Sequence, residues 1–95
     1  MPVKIQPLNK KLTAGLTRLP KRVVDSLYAL ITMIELMGPV RGDWPNYSKL
    51  AKGVHHCHLK KGNPTYVAVW KECADGSVEV LYVGTHEKVD YKRFS

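Results

Sequence analysis

Residues 54–84 read VHHCHLKKGNPTYVAVWKECADGSVEVLYVG, and this stretch decides the fold. Two turn signals divide it, the Gly-Asn-Pro tripeptide at 62–64 and the Asp75-Gly76 pair. Asp-Gly between two runs of β-branched and aromatic residues is a strong hairpin signal. The stretch therefore predicts three antiparallel strands in chain order, over residues 54–61, 65–73 and 78–84.

Side chains of a strand alternate between its two faces, so the three histidines of the first strand separate. His56 and His58 project to one face together with Lys60. His55 projects to the other face. The first face suits chemistry, because imidazole titrates near neutrality and an ammonium group can hold phosphate charge.

A three-residue loop at 62–64 sets the register, with Ala68 opposite His58 and Trp70 opposite His56. The face toward the helices then holds Cys57, Leu59, Val67, Val69, Val80 and Tyr82. The face with the two histidines holds His56, His58, Lys60, Tyr66 and Trp70. A slip of one residue would mix apolar and polar positions, which favours this register.

Upstream of these strands, the sequence predicts one short strand and two helices. Residues 3–7 alternate apolar and polar types, as in an edge strand. Asn9 can cap a first helix that reaches Leu19. Pro20 opens a longer second helix, and Gly38 closes it.

The second helix carries a wide apolar stripe that must pack against a sheet. Residues 38–53 are rich in Gly, Pro, Asp, Asn and Ser and predict an irregular connection. We therefore expect one α+β domain over residues 1–95. It consists of an N-terminal strand, a helical hairpin and a three-stranded antiparallel meander, with the helices packed on one face of the sheet.

Composition limits the class of protein. The 15 Lys and Arg against 8 Asp and Glu give a formal net charge of +7, which favours a polyanionic partner such as nucleic acid. A basic surface without a specific partner is the plainer alternative. Cys57 and Cys73 lack the spacing of a disulfide framework or a structural zinc site. No run is apolar enough for a membrane span or a signal peptide, so we expect a cytoplasmic protein without a membrane partner.

The order of these elements resembles the RelE family of toxins from bacterial type II toxin–antitoxin systems. The resemblance covers nearly the whole chain and rests on HHCHL at 55–59, PTYVAVW at 64–70 and VLYVGTHEKVDY at 80–91. It implies a RelE-like fold and an endoribonuclease, or mRNA interferase, that inhibits translation by cleaving messenger RNA, usually on the ribosome. It also implies a cognate antitoxin protein as a partner.

The resemblance also implies site residues. The family's paired basic residues fall on His56 and His58, the basic residue after Val-Gly falls on His86, and the C-terminal tyrosine falls on Tyr91. Tyr66 takes the position of a basic residue that opens the third strand in some members. The best-known members carry lysine and arginine at these positions, whereas some branches of the family use histidine.

RNA supplies its own nucleophile, the 2′-hydroxyl, so cleavage needs a base, an acid and stabilisation of charge on the phosphate. This chemistry requires no cofactor. His56, His58 and His86 are candidates for the base and the acid, and Tyr91 for positioning, stacking or proton transfer. We expect a bell-shaped pH–rate profile. The candidates for RNA and phosphate binding are Lys60, Lys61, Tyr66, Lys88, Lys92 and Arg93.

Three other interpretations compete with the nuclease. His56, His58 and His86 could together hold zinc. The protein could resemble those relatives of this fold that poison DNA gyrase without cutting RNA. It could also be a basic RNA-binding module without activity. His55 is expected to pack on the helix side and not to take part in the chemistry. Cys57 and Cys73 are expected to lie in or near the core and not to act as nucleophiles.

Overall fold

The computed structural model describes residues 3–94. Helices α1 (Lys10–Leu16) and α2 (Lys21–Met37) precede strands β1 (Ser48–Ala51), β2 (Val54–Lys60), β3 (Tyr66–Glu72) and β4 (Val78–Thr85). Two short 3₁₀ helices follow, His86–Lys88 and Tyr91–Arg93. The four strands form one antiparallel sheet in the order β1-β2-β3-β4. The α+β class and the meander of the last three strands are confirmed.

Capping residues explain where the helices begin and end. Asn9 Oδ1 accepts a hydrogen bond from the backbone N–H of Leu12 at 2.8 Å and caps α1. Pro20 precedes α2, where its missing N–H costs nothing. Gly38, at φ +99°, ends α2 in a conformation that side chains disfavour. Helix α1 itself ends about one turn earlier than predicted, at Leu16.

The core lies between α2 and one face of the sheet, here called the helix face. The predicted stripe of α2 is buried, through Val23, Leu27, Leu30 and Ile34. It packs with Cys57, Leu59, Ala68, Trp70 and Val78. The Cys57 thiol is a small core group, as predicted: burial, helped by the charge of Asp43, raises its pKa to about 12.

Strand β1 was not predicted, because residues 38–53 were expected to be irregular. It pairs with β2 through Ser48 opposite His56 and Lys49 opposite His55. The turn between the two strands has Gly53 at φ +73°. A strand of four residues interrupted by a bulge is too short to show a clear alternation of apolar and polar residues within a Gly- and Pro-rich segment.

The predicted N-terminal strand is reduced to a single bridge. Ile5 pairs in parallel with Val78. Gln6 N–H donates to the Val78 carbonyl, and Val78 N–H donates to the Lys4 carbonyl, at 2.8 and 2.9 Å. Pro7 cannot donate to a further ladder, so pairing stops there.

The predicted register of β2 and β3 is wrong by one residue. His56 lies opposite Val69 and His58 opposite Val67. Trp70 and Tyr66 therefore lie on the helix face, where the Trp70 Nε1–H donates to the Pro39 carbonyl at 3.0 Å. Residues 67–69 are all apolar and all fully buried, so their pattern did not reveal which of them face the helices.

Two bulges produce the remaining differences. One lies between His58 and Lys60 and shifts the pairing of β2 with β3. The other, in the pairing of β3 with β4, sets Val69 opposite Tyr82 and Trp70 opposite Val80. Tyr82 consequently lies on the same face as His56, not on the helix face as predicted.

Within residues 3–94, no helix combines the length and apolar character that crossing a membrane requires.

Candidate functional site

Four ring side chains meet on the face of the sheet opposite the helices, here called the histidine face. His56 and His58 come from β2, His86 opens the first 3₁₀ helix, and Tyr91 opens the second. Ring centroids are 6.1 Å apart for His56–His58, 5.6 Å for His58–His86, 5.9 Å for His86–Tyr91 and 5.1 Å for Tyr91–His56. The four predicted candidates thus form a closed four-ring cluster.

The C-terminal segment folds back over the histidine face and carries two of the four rings. His86 N–H donates to the Thr65 carbonyl at 2.8 Å, which fixes the turn after β4. The ring of Phe94 lies 6.4 Å from that of Tyr82. Beneath this segment, Val67 and Val69 are fully buried. The four-ring cluster therefore stands on an apolar floor, which strengthens electrostatic interactions within it.

His56 is held by β1. Its Nδ1 lies 2.9 Å from Ser48 Oγ and 3.4 Å from the Ser48 carbonyl oxygen. Burial lowers the pKa of His56, a hydrogen bond to the Ser48 backbone opposes this, and His86 lowers it further. The imidazole is therefore neutral at pH 7 and can accept a proton.

His58 is also neutral at pH 7. Burial lowers its pKa first, followed by the charges of His56, His86 and Lys61. Its ring nitrogens make no hydrogen bond to any other part of residues 3–94. It is available to a ligand.

Tyr91 brings an unpaired phenol to the cluster. Its oxygen is buried and has no hydrogen-bond partner within residues 3–94, a property shared there only by Thr85 Oγ1. Burial raises the pKa of Tyr91, and Tyr82 raises it further. A protonated donor without an acceptor is unusual in a native interior and needs an explanation.

The residues predicted to bind phosphate do not gather at one point as the four rings do. Lys61 is exposed and close enough to His58 to lower its pKa. Lys60 is partly buried, and its Nζ lies near Gly62. Arg93 lies over the ring of Phe94 at 5.6 Å. Exposed side chains in the C-terminal segment include those of Lys88 and Lys92.

Tyr66 does not belong to this site. It packs against the core cluster on the helix face, so the expectation that it joins the histidines is wrong. His55 lies on the helix face, as predicted. It is fully buried, with Nδ1 2.6 Å from Tyr47 OH and Nε2 2.8 Å from Glu72 Oε2.

Sequence reasoning missed two residues near the four-ring cluster, Ser48 and Tyr82. Ser48 fell in a segment that was predicted to be irregular. Tyr82 was assigned to the helix face because the bulge in the β3–β4 pair is not visible in the sequence. The alternation of apolar and polar residues around Ser48 and Tyr82 does not show that either residue lies near the histidines.

The surroundings of the four-ring cluster bear on metal binding and on where a cavity lies. Within residues 3–94, no group of three or more His, Cys, Asp or Glu is arranged to hold a metal ion, so the zinc alternative has no geometric support. A cavity of about 370 Å³ lies between α1, β4 and the C-terminal segment. It is bordered by Tyr82 and Phe94 but by none of the four ring residues, so it is separate from the cluster.

No protein-family model matches this chain, and comparisons with curated proteins and with solved structures found no match either. Membership of the RelE family therefore stays a prediction from the sequence.

Proposed function

We propose that this protein is a RelE-like toxin, an endoribonuclease that cleaves messenger RNA on the ribosome by metal-independent acid–base catalysis. The observation that carries the proposal is the four-ring cluster. Three imidazoles and a phenol, drawn from β2 and a segment about 30 residues further along, converge on a basic protein, and the centroids of neighbouring rings are 5.1–6.1 Å apart.

The groups divide the chemical work. A neutral imidazole, His56 or His58, removes the proton of the 2′-hydroxyl, whose oxygen attacks the adjacent phosphorus. The bond from phosphorus to the 5′-oxygen breaks, and Tyr91, which keeps its proton, donates to that departing oxygen once RNA binding has exposed the phenol oxygen, which is buried in the free protein. The products are a 2′,3′-cyclic phosphate and a free 5′-hydroxyl.

Charge on the phosphate is stabilised by donors around the cluster. His86 is exposed and faces both His58 and Tyr91, so it can reach a phosphate oxygen. Lys61 supplies positive charge beside His58. The remaining basic side chains of the C-terminal segment contribute sequence-independent attraction to RNA.

The toxin interpretation adds a cytoplasmic location and a cognate antitoxin as partner. The antitoxin follows from the resemblance, and the cytoplasmic location was also expected from the absence of a signal-peptide pattern in the sequence. An unrestrained ribonuclease would destroy the host's messenger RNA, so a neutralising protein is expected wherever the gene is kept.

Inducible expression tests the proposal. The wild type should arrest growth and fragment messenger RNA, whereas the His56→Ala/His58→Ala double variant should do neither. Tyr28→Ala is the matched control, because Tyr28 is 51% exposed on α2 and should leave both effects intact. Fragments should end in a cyclic phosphate.

The same cultures separate the alternatives. Growth arrest with intact messenger RNA and blocked DNA supercoiling would establish a gyrase inhibitor and overturn the nuclease. RNA binding that survives the double substitution, without growth arrest by the wild type, would establish a binding module instead.

A further inference from the structure

Ser48 and His56 form a cross-strand pair on the edge of the sheet. They lie directly opposite each other in the β1–β2 ladder. Both the hydroxyl and the backbone carbonyl of Ser48 approach the same ring nitrogen, Nδ1, at 2.9 and 3.4 Å. His58, two residues along β2, has no such partner within the described part of the chain.

The two acceptors determine which nitrogen carries the proton. A backbone carbonyl can only accept, so a proton on Nδ1 satisfies it and leaves the Ser48 hydroxyl as a second acceptor. A proton on Nε2 would instead set the Nδ1 lone pair against the carbonyl oxygen. Because the carbonyl cannot donate, the contact pattern favours the Nδ1–H form of the neutral ring.

The opposite nitrogen is then free to react. Nε2 makes no hydrogen bond within residues 3–94, and it is not among the fully buried atoms without a partner. Nε2 is therefore the ring nitrogen that is left for a ligand. In the Nδ1–H form, Nε2 carries the lone pair and is a base.

We propose that Ser48 is a positioning residue that holds His56 as the Nδ1–H tautomer, so that Nε2 of His56, and not His58, is the general base for the RNA 2′-hydroxyl. This inference rests on the proposed nuclease function. The proton moves from the 2′-hydroxyl to Nε2 as the new bond to phosphorus forms. The Nδ1–H meanwhile keeps its hydrogen bond to Ser48.

Nitrogen-15 NMR of the purified, histidine-labelled protein tests the tautomer without any assay of activity. Two-bond couplings distinguish the protonated from the unprotonated ring nitrogen. In the wild type at pH 8, His56 should be protonated at Nδ1. Ser48→Ala removes the nearer contact, at 2.9 Å, and leaves only the carbonyl at 3.4 Å, so the Nε2–H form should gain population. Ser48→Thr, which keeps a hydroxyl, should restore the wild-type spectrum. An Nε2–H form in the wild type would overturn the proposal.

Cleavage kinetics test the catalytic consequence. Ser48→Ala should lower kcat by roughly 10- to 100-fold, by analogy with the range for partners that orient a metal-bound histidine, with KM little changed. Ser48→Thr should retain most of kcat. Ser26→Ala, the same change on α2, is the matched control. Ser48 is exposed on an edge strand, so alanine should not prevent folding.

The outcomes are distinguishable. An unchanged kcat in Ser48→Ala, with an active wild type, overturns the positioning role. A wild type that cleaves no RNA overturns the proposed function and the role of His56 as base, whereas the NMR result still decides whether Ser48 holds the tautomer.

Discussion

The phenol of Tyr82 folds back over Gly84, and a Cβ placed on Gly84 would lie 2.6 Å from the Tyr82 oxygen. The same oxygen donates a hydrogen bond to the Thr85 carbonyl at 2.9 Å, which holds the ring in this position. Tyr82 in turn contacts Phe94 at the end of the segment that carries His86 and Tyr91. The Val-Gly pair before His86 thus has a steric role in shaping the site.

Gly84→Ala should displace Tyr82 and loosen the C-terminal segment. We expect a loss of about 1–3 kcal/mol in the free energy of unfolding, as for other overpacked sites, and a drop in RNA cleavage. Gly15→Ala is the control, since nothing lies within 4 Å of its Cβ and it is in a helix. That change should stabilise the protein by roughly 0.4–1 kcal/mol. Urea denaturation measures both, and equal effects would contradict the steric argument.

Tyr91→Phe should separate activity from stability. The substitution removes a buried oxygen that has no partner within residues 3–94, so the free energy of unfolding should stay the same or rise by up to about 1 kcal/mol. Cleavage should fall by roughly 100-fold or more, because the proton donor is lost. Tyr82→Phe, which breaks a formed hydrogen bond, should instead cost about 1 kcal/mol. A fully active Tyr91→Phe protein would remove Tyr91 from catalysis.

The pH–rate profile should have widely separated limbs. Because the pKa of His56 is lowered, mainly by burial, the acid limb should lie below the ordinary value near 6.5. Because the pKa of Tyr91 is raised, again mainly by burial, a phenol donor gives no alkaline limb before about pH 10. Single-turnover cleavage from pH 5 to 10 should therefore show the acid limb followed by a plateau that extends to the end of the range. An alkaline limb near neutrality would assign the acid to a histidine instead of Tyr91.

Stability should also depend on pH through the same histidines. The pKa values of His56 and His58 are lower in the folded protein than in the unfolded chain, for which the ordinary value is near 6.5. Below that value the unfolded state binds more protons than the folded state, so the free energy of unfolding should decrease as pH falls. Above that value the stabilising contribution of the two histidines is complete. Denaturation midpoints at several pH values should show this slope. A His56→Gln/His58→Gln protein should show a shallower one.

His55 should matter for stability and not for chemistry. It is fully buried between the rings of Tyr47 and Trp70, each with its centroid 5.8 Å away. Both its ring nitrogens are paired, with Tyr47 and Glu72. His55→Ala should therefore destabilise the protein by roughly 2–4 kcal/mol, through a cavity and two lost hydrogen bonds. Cleavage per folded molecule should be retained, and its loss in a folded variant would show that the helix face contributes to the reaction.

Local patterns predicted much of this fold. Asn9, Pro20 and Gly38 mark helix ends through backbone chemistry that operates within a few residues, and Asp75-Gly76 does the same for the last hairpin. Alternation along β2 likewise separated His55 from its two neighbours on the other face. These features need no knowledge of what packs where.

The sequence by itself determined the α+β class and the strand order of the meander, and alternation put His56 and His58 on one face, whereas His86 and Tyr91 were expected only from the resemblance to a family. Only the tertiary structure decided the register of β3, because Val67, Ala68 and Val69 are apolar on both faces and a bulge shifts their pairing. It also decided that β1 brings Ser48 to His56 and that the C-terminal segment brings Tyr91 to the same place. Such contacts join residues far apart in the chain, and their energy depends on packing that no short stretch of sequence contains.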